Sequence, residues 1–347
     1  MKQIVTITFY FLFVISTING QYTDVVTGLK VPWQMALNGT DLYITESTGG
    51  RVSRIDLTNP EPTAQVVLSG LFDPSGLALY GNDLYIAEFG SGKILKVDIT
   101  SSSTVAIDVV SGLSGPSCLL LKENVLFVSE YLNGKISKID LTASAPVSEV
   151  VLTDLAGPEG ILFSGNDLLI AESDGNKILL VNISEDIPVV RNLINFIGTP
   201  IGLAKKGDEI FIGGSDQGAI FSFNINDPFP VLKRITIFPL ELPTWMIFNG
   251  NDMYISEVDR ITKFKLNTSD VSNIHVSDQY LYPNPSQNFI HFKGMHIRQN
   301  FKIFNSLGHL VIEGKISPTE SLDIQNLQSG FYCLQFDIGP CISFIKE

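Results

Sequence analysis

Five glutamates recur on one beat: Glu46, Glu88, Glu130 and Glu172 lie 42 residues apart, and Glu257 follows 85 residues later. Each closes a short apolar run (LYITE, LYIAE, LFVSE, LLIAE, MYISE), so a fold that stacks these runs would bring five carboxylates to one face. Such a ring could hold a cation. A basic residue follows each within a few positions: Arg51, Lys93, Lys135, Lys177 and Arg260. The one repeat that lacks the acid, carrying Gly214, also lacks the base, carrying Ala219. Joint loss is what a cross-hairpin ion pair predicts, whereas a metal ring gives no reason for it. The ten residues are therefore read as structural pairs, each partly exposed pair stabilising by about 0–1 kcal/mol.

Positions that differ between repeats are better guides to a binding site, because one ligand cannot meet six equivalent positions in the same way. The two tryptophans of the chain are such differences. Trp33 follows Pro32 and Trp245 lies two after Pro243, where other repeats carry Ser75, Gly76, Ser117, Gly160 or Gly202. An indole offers a broad apolar face and one donor, suited to stacking a sugar ring, an aromatic group or a cation; sealing a seam between the first and last repeats is the alternative. Glu159 is the one acidic residue at this place, and Gln34 adds an amide. These four are the candidate ligand-binding residues. No zinc spacing is present, and no serine or cysteine has a histidine to activate it: His275, His291, His296 and His309 all lie beyond residue 270. No catalytic set is identified, and no metal ligands are assigned.

The elements that position these residues follow from six prolines, Pro32, Pro74, Pro116, Pro158, Pro200 and Pro243, spaced 42, 42, 42, 42 and 43 apart. Each opens a copy of one segment, clearest in PSGLALYGNDLYIAEFGSGKILKVDI from Pro74 to Ile99. Apolar runs of strand length alternate with Gly-Asn-Asp and Gly-rich breakers, giving three antiparallel strands, and a further run precedes the next proline. Four strands in a repeat near 42 residues make a β-propeller blade. The sixth repeat lacks its outer strand, and Asp24 to Leu29 (DVVTGL) matches the outer runs VVLSGL and DVVSGL one period away. The expected fold is all-β: six blades, the last closed by an N-terminal strand, which removes two exposed sheet edges. The proline loops and the turns after the glutamates share one rim, called here the proline face.

A formal charge of −13 and a pI near 4.7 argue against nucleic acid or an anionic membrane surface as partner. Residues 1–20, with Lys2 and an apolar stretch from Ile4 to Ile18, read as a secretory signal peptide, and no later segment is long enough for a membrane span. Residues 21–270 are assigned to the propeller, 271–281 to a linker and 282–347 to a small β-sandwich. A bridge between Cys333 and Cys341 is geometrically open, though two free buried thiols is the simpler reading.

The repeat PxGxAxxGNDLYIAE…GKIxKxD resembles NHL-type propellers and the repeats of streptogramin lyases. The lyases rely on histidines projecting from the propeller, and this propeller contains none. The C-terminal segment closely resembles the sorting domain of the type IX secretion system of Bacteroidetes, through Pro283, Asn284 and Pro285, Leu307 with Gly308, and Leu327, Gly330 and Tyr332. That resemblance implies type IX machinery as a partner and a secreted or outer-membrane surface location. The expected function is a non-catalytic propeller that holds an extracellular glycan, peptide or small molecule on its proline face, with no cofactor. The alternative is a metal-dependent lactonase- or lyase-like enzyme with a divalent cation in the central channel.

Overall fold

The computed structural model describes residues 22–347 except 102–103, 186–187, 196–197, 215–217, 228–229, 231, 237–239, 267–279, 283–285, 294–298, 306–308, 318–319 and 337–341. The expected signal peptide, most of the expected linker, Pro283, Asn284, Pro285, Gly308, His275, His296 and Cys341 lie outside the described residues.

Six four-stranded antiparallel sheets follow one another as blades one to six. Their innermost strands start at or just after the prolines: Pro32–Asn38, Pro74–Tyr80, Pro116–Lys122, Pro158–Ser164, Pro200–Lys206 and Met246–Asn249. The second strand of each blade, such as Asp83–Glu88, is buried almost throughout because both of its faces meet neighbouring blades. Apolar side chains interleave between blades, for example Ala36, Tyr43 and Val52 of blade one with Leu77, Leu84, Ile86 and Val97 of blade two. Burial between sheets, at about 25 cal/mol per Å² of apolar surface, drives the assembly.

The outer strand of blade six is supplied by the beginning of the described chain. Tyr22–Thr27 pairs antiparallel with Arg260–Lys265, Tyr22 opposite Phe264 and Thr27 opposite Arg260, with a bulge between Asp24 and Val26. The ladder starts two residues before the expected Asp24 and leaves the sheet at Gly28, whose φ of 80° turns the chain toward blade one. The Tyr22 hydroxyl donates to the Glu257 carboxylate, and the Leu29 amide donates to the Asp259 carbonyl at 2.8 Å.

Beyond the propeller, Leu310–Ile316, Gln299–Asn305, Gly330–Phe336 and Ile342–Lys346 form one sheet, and Tyr280–Tyr282, Phe289–Lys293 and Leu322–Asp323 a second. Their shared core includes Ile290, Phe292, Phe301, Ile303, Leu334 and Phe344. Tyr332 stacks on Phe344, ring centroids 5.5 Å apart, and its hydroxyl donates to the Gln328 carbonyl at 2.8 Å. Gly330 opens the strand that presents Tyr332. Cys333 is disulfide-bonded, which corrects the reading of a free thiol; Cys118 is free and buried.

Candidate functional site

All five ring glutamates are buried, and what each one holds first is backbone. The Lys30 amide donates to Glu46 at 2.8 Å, Phe72 to Glu88 at 2.8 Å, Ser114 to Glu130 at 2.9 Å, Ala156 to Glu172 at 2.8 Å and Glu241 to Glu257 at 2.7 Å. The donor is always 16 residues upstream, in the loop that enters the blade. Hydroxyls complete the coordination: Ser53 on Glu46 and Ser137 on Glu130 at 2.5 Å, Ser91 on Glu88 at 2.5 Å, and Thr262 on Glu257 at 2.8 Å.

The cross-hairpin ion pairs form in only two of the five blades. Arg51 grips Glu46 through two bonds, at 2.8 and 2.7 Å, and Lys177 reaches Glu172 at 2.9 Å. Lys93 turns instead to Asp108 at 2.7 Å, and Arg260 to Asp259 and Glu241, both at 3.1 Å. Lys135 makes no ion pair with Glu130. A buried carboxylate already bonded to an amide and a hydroxyl gains little from a cation at the surface, which is free to choose another partner. Burial alone would raise the Glu46 carboxyl, but Arg51, Ser53 and the Lys30 amide outweigh it and hold the group below the usual carboxylate range.

The residue after each proline stands at the proline end of its inner strand: Trp33, Ser75, Ser117, Glu159, Ile201 and Thr244 in blades one to six. Four are buried, and only Trp33 and Glu159, three blades apart, keep solvent exposure. Trp245 is not their equivalent. It stands one residue further on, just ahead of the strand that begins at Met246. Its ring is 3% exposed and packs in the core with Met35, Ile201 and Tyr254, so it does not present a stacking surface to solvent. The indole nitrogens of Trp33 and Trp245 are both buried without a hydrogen-bond partner.

Gln34 is engaged by the scaffold. Its amide nitrogen donates to the Leu119 carbonyl at 2.8 Å, and its oxygen accepts from the amides of Leu77 at 2.9 Å and Leu119 at 3.0 Å, tying blade one to blades two and three. Glu159 has far fewer ties. Among the described residues the Ser117 hydroxyl of the neighbouring blade is the one side-chain group that bonds its carboxylate. Burial pushes the Glu159 carboxyl up to about 7, the Ser117 bond opposing the rise and the charge of Asp174 adding to it. Near neutral pH this group can accept a hydrogen bond as a carboxylate or donate one as an acid.

A ledge of apolar side chains continues from Glu159 along the rim. The residue after each of the first four ring glutamates is fixed by its amide, which donates to the carbonyl before the proline of the same blade: Ser47 to Val31, Phe89 to Asp73 and Ser173 to Gly157 at 3.0 Å, Tyr131 to Gly115 at 2.9 Å. These equivalent positions carry different side chains. The Ser47 hydroxyl bonds the Asp73 carboxylate of the next blade. Phe89 and Tyr131 instead lie on glycines of the next blade, Gly115 and Gly157, both with φ of 59°. A Cβ on Gly115 would come 3.0 Å from Phe89 and 2.7 Å from Leu132, and one on Gly157 2.9 Å from Tyr131. The Phe89 and Tyr131 rings are 6.1 Å apart, Phe72 covers Gly90, and the Tyr131 hydroxyl donates to Asp174 at 3.0 Å. Phe72 and Leu132 are 64% and 63% exposed. Sequence reasoning missed this ledge, although comparing Ser47, Phe89, Tyr131 and Ser173 across repeats would have revealed it.

A channel cation requires several converging donors. Among the described residues no group of three or more His, Cys, Asp or Glu side chains is placed to hold a metal, and the ring carboxylates are bonded to backbone amides. The described residues do not fit a resident divalent ion.

The blades and the closing strand define a six-bladed β-propeller followed by a β-sandwich. Residues 280–340 match the secretion system C-terminal sorting domain, which implies type IX machinery as partner and secretion to the cell surface or beyond. Similar solved structures share the propeller fold. A streptogramin B lyase is 19% identical, with a TM-score of 0.52 over 67% of this chain and 78% of that one. A luciferin-regenerating enzyme is 12% identical, with a TM-score of 0.58 over 70% and 93%. The calcium-binding protein regucalcin from Agrobacterium tumefaciens is 12% identical, with a TM-score of 0.55 over 69% and 90%. At these identities the likeness shows the fold alone. No curated protein sequence matches the chain. No helix among the described residues is long and apolar enough to cross a membrane.

Proposed function

We propose that this is a secreted or cell-surface propeller, exported by type IX secretion, that binds an extracellular ligand on its proline face. The binding surface runs from Trp33 and Glu159, at the proline ends of the inner strands, to the ledge of Phe72, Phe89, Tyr131 and Leu132. One observation carries this reading: of six equivalent residues only Trp33 and Glu159 remain partly open to solvent, and the half-buried Tyr131 adjoins the Glu159 side. A recessed polar group beside broad apolar faces is the usual composition of a ligand site. Gln34 and Trp245 serve this surface from within, as scaffold and core.

The test replaces the ledge with residues the fold already accepts at equivalent positions. Phe89→Ser and Tyr131→Ser copy Ser47 and Ser173, so the rim backbone is retained. In a screen of extracellular glycans, peptides and small molecules against the mature protein, a hit on wild type should weaken by about tenfold or more in the double variant, with the melting temperature kept. Ligands held equally by both proteins would remove the ledge from the site.

A further inference from the structure

We infer that the proline-face site takes an organic cation, an ammonium group carried on an aromatic or alkyl body, with Glu159 as its counter-charge. This deepens the binding-surface reading above and rests on it.

Three observations converge on a cation. Among the described residues Glu159 has a serine as its only side-chain partner, and no lysine or arginine pairs with it or with the adjacent Asp174. The nearby Lys177 is taken by Glu172. Tyr131 stands beside the same acids, its hydroxyl on Asp174 at 3.0 Å and its ring 6.1 Å from that of Phe89, and aromatic faces attract cations as well as apolar groups. The whole chain carries a formal charge of −13, so its field draws a cation toward the face and repels an anion. A neutral hydroxyl can bond to Glu159 but does not relieve the penalty of keeping its charge partly buried. An ammonium does both.

That relief has a measurable consequence. The groups around Glu159 are Ser117, Asp174, Tyr131 and Cys118, with Lys177 held by Glu172; the thiol of Cys118 is pushed by burial up to about 12 and stays protonated. With Glu159 titrating near neutrality, part of the population carries a proton at pH 7. Binding then reads Glu159–COOH plus R–NH3⁺ giving Glu159–COO⁻ paired with R–NH3⁺, and one proton passes to solvent. Averaged over the population, binding releases a fraction of a proton per ligand near neutral pH.

The probes are 2-phenylethylammonium and its neutral N-acetyl derivative, titrated calorimetrically into the mature protein in buffers of different ionisation enthalpy. The ammonium should bind at least about tenfold more tightly than the acetylated form, release protons at pH 7, and weaken between pH 8 and 5.5. Glu159→Gln should abolish the proton release and the preference together. Equal binding of both probes, an unchanged preference in Glu159→Gln, or no binding of the ammonium would each overturn the cation assignment. The broader site fails separately, when Phe89→Ser with Tyr131→Ser leaves the binding of neutral glycans and peptides untouched.

Discussion

Glu130 and Lys135 face each other across a hairpin, yet they should contribute very differently to stability. Glu130→Ala removes the acceptor for the Ser114 amide at 2.9 Å, the Ser137 hydroxyl at 2.5 Å and, more weakly, the Asn133 side chain at 3.3 Å. Two well-formed bonds to a buried carboxylate, less the water that re-enters the space, put the cost at about 2–4 kcal/mol. For a domain of this size each kcal/mol moves the melting temperature by roughly 2–4 °C, so calorimetry should record a drop of about 5–15 °C. Lys135→Ala breaks no described bond and should stay within about 0.5 kcal/mol of wild type. In blade one the contrast narrows. Arg51 makes two bonds to Glu46, so Arg51→Ala should cost about 1–3 kcal/mol. A Lys135→Ala loss as large as that of Glu130→Ala would refute the reasoning and restore the ion pair as the element that holds the hairpin.

Tyr22→Phe deletes the one hydroxyl that ties the closing strand to Glu257 and should lower stability by about 1–2 kcal/mol in urea unfolding, with aromatic packing intact. The pH response of Glu159→Gln has a definite sign. Because the folded carboxyl titrates near 7 and the unfolded one near the usual glutamate value, wild-type stability falls as pH rises between those two values, and the penalty is complete above the higher. The glutamine variant should therefore gain of the order of 1–3 kcal/mol over wild type at pH 8 and nothing below about pH 4, read from denaturation midpoints across pH.

The architecture was legible because propeller folding imposes its period on the strongest local signals. A proline at each inner-strand start, a Gly-rich turn and an acid closing the second strand recur without help from distant contacts, and the unmatched DVVTGL segment announced the closure. The outer strands were less legible. They meet only one neighbour, so packing demands little of their composition, and in blade five the described outer ladder shrinks to Lys233–Arg234 where a run from Val231 to Leu240 was expected. The basic residues near the glutamates misled for a related reason. Composition reveals Lys and Arg, whereas the partner that every glutamate shares is a backbone amide, which no side chain advertises.

For the proposed site, a break in the repeat is by itself an incomplete criterion. Trp33, Glu159 and Trp245 all break the pattern, and the first two sit where solvent reaches; Trp245, one position along, fills the core instead. The missing half of the criterion is what the neighbouring blade presents. Phe89 and Tyr131 stay on the rim because the next blade offers Gly115 and Gly157, while Ser47 meets Asp73 and bonds to it. Exposure of a variable residue in a ring of repeats is therefore a property of a pair, the residue and the position one period ahead of its contact. Gly115 and Gly157 belong to the proposed binding surface as fully as the rings they carry. Both also lie at φ of 59°, where a side chain would strain the backbone before it reached the ring, so conformation and space select glycine together.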